Sequence, residues 1–468
     1  MNTSPRLAQG VLTTLLAGAA LGSAVSVAAD ARPLPDSSNA ERTDWLSVSG
    51  SQRTRYEILD GQFRAGRAGG DQMLAFRTTL RLEARFTPFS IVGELMDSRQ
   101  ALADSNTPID TTMVNAVEPL QGYVAIPLSG AFVDEGRSEL RIGRQTLDVG
   151  SRRLVARNQF RNTVNAFTGV HYQWEQKDGP TVRALYVLPV TRLPSDIASL
   201  LDNDIELDEE HLDVRFWGVH VHWPTRFLDA TSEAFVFGLQ EKDSNALPTR
   251  NREIYTPGLR VSRKPTSKAW DFDFESAIQF GSLRDSGAAT DQRDLDHFAY
   301  FAHVELGYTF AASASPRVAV LYDFASGDDS PTDDDSNRFD TLFGARRFDH
   351  GPTGIYGAFA RSNIQSPGVR ISAKPHTQLD GMFAYRAYWL ASDTDAWTTS
   401  GLRDASGNSG SFIGHQVEAR LRWDLRHESV RLELGGAYLF AGEFIRSAPN
   451  ATGQGDTAYG YFAVDLSF

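Results

Sequence analysis

Residues 417–425 read Val-Glu-Ala-Arg-Leu-Arg-Trp-Asp-Leu, so Val417, Ala419, Leu421, Trp423 and Leu425 fall on one face of an extended chain, and Glu418, Arg420, Arg422 and Asp424 on the other. A sheet buried on both sides cannot take the charged face. A sheet closed on itself in a bilayer takes both, with lipid outside and water inside. The pattern recurs. In 74–86, Leu74, Phe76, Leu80, Leu82 and Phe86 oppose Arg77, Arg81, Glu83 and Arg85; in 270–280, Trp270, Phe272, Phe274, Ile278 and Phe280 oppose Asp271, Asp273, Glu275 and Gln279. The last ten residues set Phe462, Val464, Leu466 and Phe468 against Tyr461, Ala463, Asp465 and Ser467, as expected of a closing barrel strand that ends on an aromatic.

Residues 1–29 read as a cleaved export leader: Arg6, an apolar run from Val11 to Val27, and Ala28-Ala29 before Asp30. Residues 30–44 are then a short periplasmic segment, and 45–468 a single domain, since no linker or composition shift divides them. No later stretch approaches the ~18 consecutive apolar residues of a spanning helix, so any crossing must be by strands. The absence of cysteine excludes a disulfide scaffold and thiolate metal sites, and the net charge of −13 speaks against nucleic acid as a partner.

Connections alternate in length. Tight turns at 87–90, 176–180, 263–268, 311–316, 373–377 and 426–429 lie between longer polar stretches at 61–71, 98–118, 150–162, 191–210, 243–251, 284–296, 326–366, 392–411 and 445–456. Short periplasmic turns and long outer connections are the layout of an outer-membrane barrel. Counting segments predicts an all-β, transmembrane antiparallel β-barrel of about 18 strands, a size that encloses an aqueous lumen. Within 211–223 the alternation changes phase near Trp217 and Gly218, which predicts a bulge.

The face opposite the apolar one is rich in arginine. Alternation assigns Arg53, Arg55, Arg77, Arg81, Arg85, Arg141, Arg215, Arg317, Arg370, Arg386, Arg420 and Arg422 to the lumen, among acids such as Glu57, Glu83, Asp271, Glu418 and Asp424. Guanidinium forks match carboxylates bidentately and stay charged at any working pH. Each such pair can also simply stiffen the wall across neighbouring strands.

The run Arg141-Ile-Gly-Arg-Gln145, followed by Asp148, Gly150, Arg153, Leu154, Val155, Asn165, Phe167 and Gly169, resembles the alginate export family of bacterial outer-membrane channels. Tyr322-Asp-Phe-Ala-Ser-Gly-Asp328, its acidic continuation and residues 339–343 support the resemblance. It implies a monomeric 18-stranded barrel, constricted by infolded loops and lined by arginine, through which a polyuronate leaves the cell. Arg141, Arg144 and Arg153 carry over from the motif, and Arg55, Arg77, Arg386, Arg420 and Arg422 join them as lumen residues by alternation. Arg144 is out of phase with Arg141, so a lumenal position for it requires a bulge.

The same reading calls for no cofactor and no metal. Its partners are outer-membrane lipid and lipopolysaccharide, the anionic polysaccharide or small anions, and a periplasmic secretion machinery. A general or small-anion porin is the alternative within the channel class. Asp328, Asp329 and Asp333 to Asp335 offer oxygen ligands but lack the ordered spacing of an EF-hand loop, and read as a solvated outer loop. The competing classes are an outer-membrane enzyme and a plugged structural barrel. No Gly-x-Ser-x-Gly and no His-Glu-x-x-His occurs.

Overall fold

A computed structural model describes residues 45–104, 106–128, 136–225, 227–244, 247–425, 429–452 and 455–468. The expected leader 1–29 and segment 30–44 lie outside the described residues. In chain order the strands are β1 (Leu46–Asp60), β2 (Asp71–Arg85), β3 (Ser90–Ala101), β4 (Asn115–Pro127), β5 (Arg137–Gln145), β6 (Phe167–Glu175), β7 (Thr181–Thr191), β8 (Glu209–Glu210), β9 (Val214–Thr225) and β10 (Ala230–Glu241). They continue as β11 (Glu253–Arg263), β12 (Ala269–Leu283), β13 (Leu295–Thr309), β14 (Arg317–Ala325), β15 (Asp335–Ser336), β16 (Ile364–His376), β17 (Leu379–Trp389), β18 (Phe412–Leu425), β19 (Val430–Ala441) and β20 (Thr457–Ser467). β8 and β15 are two-residue additions at the rim. The other 18 pair antiparallel with their neighbours, and β1 pairs with both β2 and β20, which closes the barrel. Among the described residues no helix is long and apolar enough to cross a membrane.

The period of two holds through the wall. On β18 Leu421 and Trp423 are exposed outward while Glu418 is buried inward; on β12 Trp270, Phe274, Ile278 and Phe280 are exposed while Asp271, Glu275 and Gln279 are buried. Aromatics collect at both ends of the outer face. Trp217, Tyr255 and Phe280 adjoin near the long connections, with ring centroids 6.1 and 5.7 Å apart; Trp270, Tyr308 and Phe310 adjoin near the short turns, at 5.2 and 4.9 Å. These are the two interface girdles of a membrane barrel.

The predicted bulge in 211–223 is absent. β9 pairs with β10 without a register shift from Val214 to Thr225. The apparent phase change came from Phe216, an inward-facing apolar residue whose ring lies 5.0 Å from that of Phe343 inside the barrel. The same register turns Arg215 outward, where its Nε donates to the Leu212 carbonyl, so it leaves the lumen set.

Inside, side chains from the connections pack with inward-facing wall residues to make the core. Phe63, Leu154, Val155, Phe339, Tyr356, Phe359, Trp397 and Phe444 are buried with inward wall residues such as Met73, Phe167 and Phe216. The two stretches that carry the family resemblance meet there. Phe343 N donates to Leu154 O (3.0 Å), Ala156 N to Phe343 O (3.1 Å) and Ala345 N to Arg152 O (2.9 Å), while Asn165 Nδ2 reaches both Ala156 O and Phe343 O at 3.0 Å. Gly344 permits this approach, since a Cβ there would lie 1.8 Å from the Arg153 carbonyl oxygen. Gly344→Ala is expected to cost about 1–3 kcal/mol through overpacking, read as a lower temperature at which the folded gel band of the refolded barrel converts to the unfolded one.

Candidate functional site

Three of the wall arginines grip an infolded segment by its backbone. Arg53 donates to Gln159 O and Arg161 O, both at 2.8 Å, and Arg77 donates to the same carbonyls at 3.0 Å. Arg55 donates to Phe160 O at 2.5 Å and to Glu57 at 2.8 Å. These contacts hold 159–161 across the lumen, a backbone carbonyl being a natural acceptor for a guanidinium.

A second grip surrounds Asp349 on the short helix α1 (Arg347–His350). Arg153 brackets the Asp349 carboxylate at 2.9 and 3.2 Å and also reaches Glu275 at 2.6 Å; Arg361 bonds Asp349 from the other side. Arg386 donates to Asp323 (2.5 Å), Ser366 Oγ (2.9 Å) and Asp349 O (2.8 Å), and His303 Nδ1 lies 2.8 Å from Asp323. All of these groups are buried. His303, Asp323 and Asp349 bring ligand atoms within 4.8 Å of one another. Three guanidiniums already neutralise the two carboxylates, so the cluster acts as an ion-pair latch between the infolded segment and the wall.

The other sequence-derived candidates lie apart. Arg420 pairs with Asp380 (3.3 Å) and Arg422 with Glu433 (2.8 Å) on the half of the wall nearer the short turns, and Arg141 lies 2.6 Å from Glu139 with its guanidinium over Tyr123. Arg144 does not join them. β5 runs without a bulge, so Arg144 shares the parity of the exposed Ile142, and its guanidinium is held between Glu118 and Glu210 at the rim, tying β5 to the 192–213 connection.

Positive charge without an ion-pair partner also lies in the connections. Arg64, Arg161, Arg192 and Arg346 come from four of them, and none forms an ion pair among the described residues. Arg64 donates to Gln62 Oε1 (3.0 Å) and Tyr356 O, and Arg192 to Thr111 O (2.9 Å) and Asn165 Oδ1 (3.0 Å). Arg161 and Arg346 form no side-chain hydrogen bond among the described residues, and Arg346 Nε is buried without a partner. The Arg64 and Arg346 guanidiniums converge on Gly357, whose φ is +45°; a Cβ there would lie 3.1 Å from Arg346 Nη2 and 3.7 Å from Arg64 Nη2. Glycine fits this left-handed position and leaves the gap between the two cations open.

Burial, then repulsion from Arg346, pushes Arg64 down to about 10 and Arg161 down to about 9; burial also lowers Arg192 and Arg346. A guanidinium keeps its proton at neutral pH, so an incoming anion relieves the repulsion. Period-two reading cannot find this cluster, because the connections that carry it have no period. A usable signal was present: Arg64-Ala-Gly-Arg67 and Arg346-Arg347 are basic pairs inside otherwise polar stretches.

The acidic run borders a cavity of about 230 Å³ at the outer rim. Asp328, Asp333 and Asp335 share its lining with Arg293, Arg338 and Arg403.

The architecture is similar to solved barrels from Pseudomonas aeruginosa. OpdK with vanillate aligns at 13% identity, covering 90% of this chain and 99% of that one, with a TM-score of 0.57. OccD3 (OpdP) aligns at 12% identity, 90% and 91% coverage and a TM-score of 0.55; OccK3 (OpdO) at 15%, 90% and 95%, and 0.54. At these identities the likeness shows the fold. A search of curated protein sequences finds no match. The alginate export family matches residues 44–458, and this outer-membrane barrel channel belongs to that family.

Proposed function

We propose that the chain passes an anionic polysaccharide, an alginate-like polyuronate, out of the cell through its arginine-lined lumen. The observation that carries this reading is the group of Arg64, Arg161, Arg192 and Arg346, four guanidiniums without an ion-pair partner among the described residues, two of which, Arg64 and Arg346, converge on Gly357. Successive carboxylates of a polyuronate exchange pairings there, each weak enough to release. Arg141, Arg420 and Arg422 extend the path toward the short turns. Arg55, Arg77, Arg153 and Arg386 serve it by seating the infolded segments. Arg144 has no part in the path. A periplasmic machinery delivers the polymer, and the outer loops face lipopolysaccharide.

The test is single-channel recording of the refolded protein in a planar bilayer under a salt gradient, with short oligouronates added. Anion selectivity and concentration-dependent block are expected. Arg161→Gln with Arg346→Gln is expected to weaken block roughly tenfold, the scale of one charged hydrogen bond. An anion-selective but unblocked channel supports the small-anion porin alternative, and silence supports a plugged barrel.

A further inference from the structure

Asp110, in the 102–114 connection, lies in a turn that touches the arginine cluster through Arg192. Its carboxylate is fixed by its own turn: Thr112 N and Thr112 Oγ1 both donate to Oδ1, at 2.7 and 2.5 Å. The turn is itself docked. Arg192 Nε donates to Thr111 O at 2.9 Å, Thr163 Oγ1 to the same oxygen at 2.9 Å, and Thr163 N to Thr112 O at 3.0 Å. Asp110 is therefore held against Arg192 and the stretch of chain that presents Arg161. It is exposed and forms no ion pair with any described residue.

A carboxylate that is tethered beside Arg192 and the stretch presenting Arg161, but bonded to no cation, has the chemistry of the arriving ligand. It offsets part of the arginines' repulsion while the lumen is empty, and it repels each carboxylate that enters. Conduction requires binding tight enough to enter and weak enough to leave. Four uncompensated guanidiniums would favour entry and hinder exit. We propose that Asp110 is a specificity-determining residue of the arginine cluster, a resident carboxylate that competes with the uronate carboxylates and sets how fast each is released.

This inference rests on the polyuronate reading, and its test separates the two. The probe is a uronic acid trimer blocking single channels of wild type, Asp110→Asn, Asp104→Asn and the Arg161→Gln/Arg346→Gln double variant. The amide introduced by Asp110→Asn keeps an oxygen for the Thr112 donors, so the turn is preserved. Removing one like charge at this range is expected to lengthen the blocked time of Asp110→Asn by roughly three- to tenfold at 0.1 M salt, with a smaller change in 1 M salt. Asp104→Asn, which alters an exposed acid of the same connection, should match wild type. If block of Asp110→Asn equals or falls below that of wild type while the double arginine variant is weakened, Asp110 is not a competitor and the path reading stands. If the double variant also blocks like wild type, both fail.

Discussion

Asp349→Ala is expected to open the lumen. The carboxylate lies between Arg153 and Arg361 with both guanidiniums buried, and removing it leaves Arg361 with only the Ala345 and Arg153 carbonyls as acceptors. Breaking a buried ion pair from one side costs about 3–5 kcal/mol. The loss falls on the contacts between the 339–363 segment and the connection that carries Arg153, because the ladder of wall hydrogen bonds is untouched. Larger conductance, and new proteolytic sites within 339–363, are the expected readouts, with the barrel still migrating as a folded band. Unchanged conductance and protection would mean that Asp349 does not hold the segment. Asp349→Asn keeps the shape and removes the charge, so it should fall between alanine and wild type. The pH dependence has a definite sign. Arg153 and Arg361 hold Asp349 well below the usual carboxylate range, so the latch is complete above about pH 4 and is lost only as pH falls through the depressed value. Mild acid near pH 5 should leave the conductance as it is.

The second large effect concerns the outer face. Leu259 is 62% exposed in the middle of β11, between Ser276 and Ala234 on its neighbours, with Tyr255 and Phe280 above it and Trp270 below. In water such exposure would be a liability; in a bilayer it is solvation. Leu259→Arg is expected to cost about 2–4 kcal/mol near the midplane. Refolding into lipid vesicles as a function of urea measures it. Leu259→Gln supplies a polar side chain without charge and should cost less. A Leu259→Arg midpoint equal to wild type would place this strand face away from the hydrocarbon.

How far the sequence carried the reading follows from what has a period and what does not. The β18 and β12 faces were legible because Leu421 alternates with Arg420 and Arg422, and Phe274 with Asp273 and Glu275, with no interruption. The same rule misread 211–223, because Phe216 is apolar yet faces inward onto Phe343. Alternation assumes a wet interior, and it fails wherever a connection folds back to make the interior dry. It also assigned Arg55, Arg77 and Arg386 to the lumen without their partners. Those partners are the backbone of 159–161 and the Asp323 carboxylate, close in space and as far as 105 positions away in sequence. Arg144 carried the family motif but was out of phase with Arg141, and the unbroken β5 register shows that the phase was the better guide. The cluster of Arg64, Arg161, Arg192 and Arg346 is assembled from four connections and is visible only once they are seated.

The pairing of β1 with β20 bears on how the molecule is assembled. Arg55 opposes Ala463 and Glu57 opposes Tyr461 across this seam, so its contacts join residues some four hundred positions apart and have the largest loop-closure entropy in the wall. The seam is also where the interior is fastened. Glu57 accepts from Tyr459 Oη (2.8 Å), from Ile355 N (3.1 Å) and from Arg55, which in turn holds Phe160 O. One carboxylate thus joins the two ends of the sheet to both infolded segments. Seating the plug and shutting the cylinder become a single late event, and a chain whose first and last strands have not met has neither a finished wall nor a formed filter.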